Sequence, residues 1–219
     1  MGLYNKKGMY TGYDKNHAER EKNDYYSTPT EEVLNILQHL NLNFTSEDTI
    51  LDPGAGGGHM IEGIREYSTE PTIYATDIID RNNSLIEKQK ESGINWSIQD
   101  FLSTDYSINE VDYIIMNPPF KLIEPFLLHS FEIANKGILM LGRLQFLEGQ
   151  SRYKKIFSNF PPTDTYVYID RISCHKMGDT SKKESSAQAY AWFYWDYQKM
   201  NEKPLLHWIH RMENNLIFL

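Results

Sequence analysis

The segment Thr49-Ile50-Leu51-Asp52-Pro53-Gly54-Ala55-Gly56-Gly57-Gly58-His59 constrains the fold of this chain more than any other. A short β-prone run that passes through a glycine cluster into Met60-Ile61-Glu62-Gly63-Ile64 reads as strand, tight turn and helix. That is the setting in which a glycine run becomes a nucleotide-binding loop. Further strand-like runs lie at 73–77, 95–98, 111–116 and 137–141, interleaved with helix-like stretches at 60–66, 82–92 and 122–135. Strand alternating with helix predicts an α/β fold with a parallel sheet. Runs at 165–169 and 189–194 would bring that sheet to seven strands. Ahead of it, Val33, Leu34, Leu37 and Leu40 form an apolar stripe that predicts a helix over 30–42, capped by Thr28 or Thr30.

The second informative segment is Asn117-Pro118-Pro119-Phe120, directly after Val111-Asp112-Tyr113-Ile114-Ile115-Met116. A strand that ends in an amide, two ring-locked residues and an aromatic builds a rigid platform for a planar amine. Asn accepts a hydrogen bond, and Phe offers a stacking face. Neither proline has an N–H, so carbonyls dominate the backbone polarity there, and the fixed φ values set the direction of Asn117. An exocyclic amino group, with two protons to donate, suits such a platform. The third piece is Ile73-Tyr74-Ala75-Thr76-Asp77, a strand ending in a carboxylate about 25 residues after Asp52, where a ribose-binding acid belongs in such folds. The glycine loop lacks the Gly-Lys-Ser/Thr ending of a triphosphate-binding P-loop.

Together these residues resemble the S-adenosylmethionine-dependent amino methyltransferases, specifically the N6-adenine DNA methyltransferases, and in layout their small phage or prophage-encoded members. Asp52-Pro53-Gly54-Ala55-Gly56-Gly57-Gly58 is similar to the family's Asp/Glu-Pro-x-x-Gly-x-Gly cofactor loop. Asn117-Pro118-Pro119-Phe120 is similar to its Asn/Asp/Ser-Pro-Pro-Tyr/Phe catalytic motif. Tyr25-Tyr26-Ser27-Thr28-Pro29 resembles the segment that closes over the cofactor's methionine end, and Gln99-Asp100-Phe101 the pair that holds its adenine. These matches run in the family's order over 25–120.

The resemblance implies a Rossmann-like class I methyltransferase fold: a doubly wound, seven-stranded, mostly parallel sheet with an antiparallel last strand. It implies S-adenosylmethionine as cofactor, held by Tyr25, Thr28, Pro29, Asp52, Pro53, Gly54, Gly56, Asp77, Ile78, Asp100, Phe101 and Asn117. In that scheme Asp52 orients the loop and the cofactor amine, and Asp77 accepts from the ribose hydroxyls. Asp100 accepts from the adenine amino group with Phe101 on the ring, and Thr28 meets the methionine carboxylate. Asn117, Pro118, Pro119 and Phe120 are the implied catalytic residues, with Phe120 stacking on a base swung out of its helix.

Composition fits one compact unit: 219 residues, 40% of them hydrophobic, suffice for a single core. The expected organisation is an arm over 1–24, ordered only by contact, and a single domain over 25–219. No apolar run approaches membrane-spanning length and the first residues lack a signal-peptide core, so a cytoplasmic location and no membrane partner are expected. One cysteine, Cys174, excludes an internal disulfide and a cysteine-rich zinc site, and no metal is expected. Its neighbour His175 does not make it a nucleophile, since adjacent residues seldom point at each other and no orienting third group is evident.

The net charge of −8 is unevenly spread. Residues 25–142 hold 18 acids and 6 bases, whereas 143–183 hold 4 acids and 8 bases. Arg143, Arg152, Lys154 and Lys155 are therefore expected to face the substrate, with Arg171, Lys176, Lys182, Lys183 and the arm's Lys6, Lys7 and Lys15 in support. The stretch 178–188, rich in Ser, Lys and Asp, reads as a loop. Between Phe101 and Asn117 there is no room for a target-recognition domain. Recognition then falls to 143–188 and the arm, or to a partner subunit. DNA is the expected partner. RNA adenine, cytosine N4 and a protein glutamine amide offer the same motif an amine and stay open, as does a non-catalytic cofactor-binding accessory subunit.

Overall fold

The computed structural model describes residues 26–103, 107–108, 110–172, 174–176 and 188–212. The expected arm 1–24, Tyr25, Lys182, Lys183 and all of the 178–188 loop but Gln188 lie outside these residues.

Eight strands make the main sheet: β2 (Thr49–Asp52), β3 (Thr72–Asp77), β4 (Asn95–Ile98), β5 (Val111–Met116), β6 (Ala134–Arg143), β7 (Asp164–Tyr168), β9 (Tyr190–Asp196) and β10 (Leu205–Ile209). Their order is β10-β7-β9-β6-β5-β2-β3-β4. A separate antiparallel ribbon joins β1 (Tyr26–Ser27) to β8 (His175–Lys176). The helices are α1 (Thr30–Leu40), α2 (His59–Tyr67), α3 (Ser84–Glu91) and α4 (Ile123–Ile133), followed by a short turn at Gln150–Arg152 that runs into a π-helix at Tyr153–Phe157.

All seven strands expected from the sequence are present, and the fold is the doubly wound class I methyltransferase fold. The seventh of them, β9, is antiparallel as expected, running against both β6 and β7. One detail differs. An eighth strand, β10, closes the edge parallel to β7. Its sequence Leu205-Leu206-His207-Trp208-Ile209 has no polar alternation, and Leu206 and Trp208 are exposed, so no in-out pattern marks it.

Alternate residues of the central strands feed two cores, as a sheet covered on both faces requires. Ile50, Ile115, Leu139, Leu141 and Trp192 pack with Val33, Ile36, Leu37, Ile61 and Ile64 of α1 and α2. Leu51, Ile114, Met116, Met140, Phe193 and Trp195 pack with Phe126, Leu127 and Phe131 of α4. Gly63 lets α1 and α2 touch: a Cβ there would lie 2.5 Å from Val33 Cβ and 2.7 Å from the Thr30 carbonyl. At the amino edge of the sheet, Lys136 Nζ ties Asp48 (2.5 Å) to Asp112 (3.2 Å).

The chain steps outward from β2 to β3 to β4, then resumes on the other side of β2 with β5 and β6. This reversal opens a crevice beyond the carboxyl ends of β2 and β5, the place where such sheets bind ligands. Asp52 ends β2, and Asn117 follows β5. Among the described residues no helix is long and apolar enough to cross a membrane.

Candidate active site

The crevice holds a cleft of about 230 Å³, open mouth included, lined by Tyr26, Ser27, Thr28, Asp52, Gly54, Ala55, His59, Met60 and Asn117. Three segments far apart in sequence therefore meet: the strand before α1, the glycine loop and the Asn-Pro-Pro-Phe motif.

Asn117 is held by the first of these. Its Nδ2 donates to the Tyr26 carbonyl at 3.0 Å and to Thr28 Oγ1 at 3.1 Å. A carbonyl can only accept, so the amide nitrogen must face Tyr26, and Oδ1 is the atom left for another partner. Among the described residues, nothing donates to it. Thr28 thus positions Asn117 instead of capping α1, whose N-cap is Pro29, without a side-chain bond. Thr30 is not the cap either, since its hydroxyl donates to the His59 carbonyl at 3.3 Å. Pro118 is buried, and the Pro119 carbonyl accepts from Leu122 N at 2.8 Å, closing a tight turn.

The glycine loop is fixed from both sides. Ala55 N donates to the Thr76 carbonyl of β3 at 2.9 Å, Asn83 Nδ2 to the Gly57 carbonyl at 3.2 Å, and Gln89 Nε2 to the Gly58 carbonyl at 2.8 Å. Gly58, at φ 89°, turns the chain into α2; a Cβ there would strike Gln89 Oε1 at 2.6 Å. Asp52, 1% exposed, accepts from Gly54 N at 3.2 Å. Desolvation pushes its carboxyl from the ordinary 3.8 up to about 8, against the pull of the Gly54 N–H and helped by the charge of Asp77. Asp77 accepts from Gly56 N and Ile79 N, each at 2.8 Å, and lies 3.7 Å from Arg81 Nε. It therefore shapes the loop directly, with lone pairs to spare on a carboxylate that has about four.

At the neighbouring strand ends, Ile78 and Ile98 are 47% and 53% exposed, an apolar pair of which only Ile78 was expected in the site. Asp100 Oδ1 accepts from Leu102 N at 3.0 Å, the bond of a local turn. Phe101 departs from its expected place on the cofactor ring. It is 2% exposed, with its ring 4.9 Å from Phe126 and 4.6 Å from His129, and belongs to the core beside α4. Its apolar neighbours on α4 outweigh the local Asp-Phe pattern.

Phe120 lies at the far side of Asn117, its ring 5.3 Å from Tyr26 and 6.3 Å from Tyr190. The Arg143 guanidinium sits over it, 3.7 Å from the centroid. Behind Arg143 runs a buried polar group that sequence reasoning missed. Tyr190 bonds to Arg143 and Cys174, Trp192 Nε1 donates to Tyr168 Oη at 2.9 Å, and Tyr168 meets Glu32 of α1. Burial raises the Glu32 carboxyl and pushes the Cys174 thiol up to about 12, which removes it as a nucleophile at neutral pH.

The basic residues after β6 divide. Arg152 Nη1 donates to the carbonyls of Gln145 (2.9 Å), Phe146 (2.8 Å) and Glu148 (2.5 Å), tying down its own turn. Lys155 pairs with Glu124 at the start of α4. Lys154 is exposed. Of the four basic residues expected to face a substrate, Arg152 and Lys155 are thus engaged by carbonyls and a carboxylate of the chain itself.

No protein-family profile and no curated protein sequence matches the chain. Solved structures do. The fold is similar to that of a candidate RNA methyltransferase from Pyrococcus horikoshii (TM-score 0.59, 20% identity, 79% of this chain and 87% of that one). It is also similar to a dimethyladenosine transferase from Plasmodium falciparum (0.54, 13%, 78% and 62%). A third likeness is to a SAM-dependent O-methyltransferase from Thermotoga maritima (0.52, 13%, 81% and 69%). At these identities the likeness is one of fold.

Proposed function

We propose that this chain is an S-adenosylmethionine-dependent methyltransferase that methylates the exocyclic N6 amine of adenine in DNA. The observation that carries the reading is the orientation of Asn117: its amide nitrogen is spent on Tyr26 and Thr28, so its oxygen is presented as an acceptor beside the cleft.

The cleft suits the cofactor. Asp52 is a buried carboxyl at the cleft wall with one donor, Gly54 N, among the described residues, and its raised pKa marks a site that gains from a cation such as the cofactor's amino group. Asp77 and the exposed Ile78 follow at the next strand end, where a ribose and an adenine would be held. When bound, S-adenosylmethionine supplies a methyl group on a positively charged sulfur.

The residues of the chain then act on the acceptor. An aromatic amine is a weak nucleophile because its lone pair is delocalised into the ring. Asn117 Oδ1 and the Pro118 carbonyl accept hydrogen bonds from its two N–H groups, which turns the nitrogen toward sp³ and frees the lone pair. No strong base is needed, since the methylated nitrogen is cationic and sheds its extra proton to water. Most of the rate comes from orientation and from preorganised dipoles. Phe120, with Tyr26 and Tyr190, gives an aromatic surface for a base that has left its stack, as N6 cannot be reached inside a duplex.

RNA adenine is the second reading, favoured by the likeness to a candidate RNA methyltransferase and to a dimethyladenosine transferase. In either case target recognition falls to the 143–188 region and the arm, or to a partner subunit. Incubation with radiolabelled cofactor and separate DNA, RNA and protein pools tests the proposal, followed by digestion to nucleosides. Label in N6-methyldeoxyadenosine supports it, label in methylated adenosine selects the second reading, and label in protein alone refutes both.

A further inference from the structure

We infer that Arg143 stands in for the acceptor base on Phe120 in the free protein and becomes a ligand for the phosphodiester beside the extruded nucleotide when the base takes that face. The inference rests on the nucleic-acid reading above. The Arg143 guanidinium carbon lies 3.7 Å from the Phe120 centroid, the separation of two stacked flat groups. A guanidinium is planar and delocalised, so it fills the same slab of space as a nucleobase. Both cannot occupy one face of the ring.

That face belongs to the site. Phe120 is part of the motif that carries Asn117, and Tyr26 touches both ends of it, giving its carbonyl to Asn117 and its ring to Phe120 at 5.3 Å. Tyr190, at 6.3 Å from Phe120, closes the aromatic surround.

Arg143 is held there loosely. Tyr190 takes one of its hydrogen bonds, whereas its Nε is buried and finds no acceptor among the described residues. With five donors on the group, the aromatic face and one hydroxyl leave it short of partners. A phosphodiester offers two paired non-bridging oxygens, acceptors that the guanidinium fork fits. As the last residue of β6, Arg143 also sits at the carboxyl edge of the sheet, beside the crevice. Arg152 and Lys155 are tied up within the chain, whereas Arg143 lies on the aromatic slot itself with its Nε donor unused among the described residues.

The two roles predict opposite effects on two probes. Adenosine, without phosphate, and a short single-stranded oligodeoxynucleotide are titrated against wild type, Arg143→Ala and Arg143→Lys, with the cofactor site saturated by S-adenosylhomocysteine. Arg143→Ala should bind adenosine several-fold more tightly and the oligonucleotide several-fold more weakly, with a salt slope lower by about 0.7 log units per log unit of salt. Arg143→Lys, which keeps the charge and loses the flat group, should tighten adenosine yet keep the wild-type slope. Misfolding weakens both probes together, so the opposed signs separate it from the expected result. Adenosine affinity unchanged or lower in both variants, or a wild-type slope in Arg143→Ala, overturns the inference while leaving the nucleic-acid reading intact. A wild-type protein that binds neither DNA nor RNA oligonucleotides at low salt overturns that reading, and the inference with it.

Discussion

The side chain of Asn117 is fixed by the backbone of Tyr26, 91 residues earlier, through a 3.0 Å hydrogen bond from Nδ2 to the carbonyl. Thr28 Oγ1 takes the second amide proton at 3.1 Å. The strand ahead of α1 therefore does more than cover the cleft: it sets the direction of Asn117 Oδ1. Thr28→Val removes one of the two acceptors at nearly constant volume. It should lower methyl transfer by roughly tenfold, the worth of about 1.4 kcal/mol in the transition state, with cofactor affinity within a few-fold. Single-turnover rates at saturating cofactor check this.

Asp52 predicts a pH dependence. Its pKa in the fold, about 8, lies above its ordinary 3.8, so the ligand-free protein binds a proton that the unfolded chain has lost. The stability tied to that proton is fully present below about pH 4 and is lost as pH rises through about 8. A positively charged cofactor selects the ionised form, so its affinity should climb toward pH 8 by up to about tenfold per unit and then level off. Asp52→Asn should flatten that profile and weaken binding, yet raise the melting temperature of the free protein above pH 7 by about 5 °C or more. Calorimetry and thermal scans between pH 6 and 9 measure both.

Gly63 is a stability prediction. Alanine there drives a Cβ to 2.5 Å from Val33 Cβ and 2.7 Å from the Thr30 carbonyl. Backbone is among the obstacles, so α1 and α2 must separate. Gly63→Ala should cost about 1–3 kcal/mol, as overpacked sites do. Because α1 begins two residues after Thr28, cofactor affinity should fall as well. Chemical denaturation with and without ligand reports the two effects.

The basic segment after β6 should behave unevenly. Lys154→Ala should lower the salt slope of nucleic-acid binding by at most about 0.9 for duplex DNA, the amount for one phosphate. Arg152→Ala should instead lower the melting temperature, because it strips the carbonyls of Gln145, Phe146 and Glu148 of their donor. A large slope change with unaltered melting in Arg152→Ala would show that its carbonyl bonds are replaced by phosphate contacts on binding.

What the sequence discloses here is local pattern. The strand ends at Asp52 and Asn117 are legible because each couples an apolar run to a turn whose glycine or proline content is dictated by backbone geometry, and that at Asp77 because a carboxylate closes a β-prone run. The order of the helices and seven strands follows from the same alternation. Contacts between distant segments are not legible. Thr28 reads as a cap until its hydroxyl is seen against Asn117, and the Gly63 contact depends on how two helices cross. The buried Glu32 accepts from Asn35, one turn on, at 3.1 Å and from Met212 N, 180 residues away, at 3.3 Å, and nothing near it in sequence announces the second partner. Phe101 fits a local motif and is still drawn into the core by Phe126 and His129.

The central claim is that Asn117 presents an acceptor to an adenine amine. It is tested most directly by single-turnover transfer of a labelled methyl group to DNA, with product nucleosides resolved, for wild type and Asn117→Ala at saturating cofactor. The account predicts label in N6-methyldeoxyadenosine with wild type and a rate lower by about 10² or more in the variant, with cofactor affinity within a few-fold. Equal rates in the two proteins, or label on a carbon or a sugar hydroxyl, would contradict it.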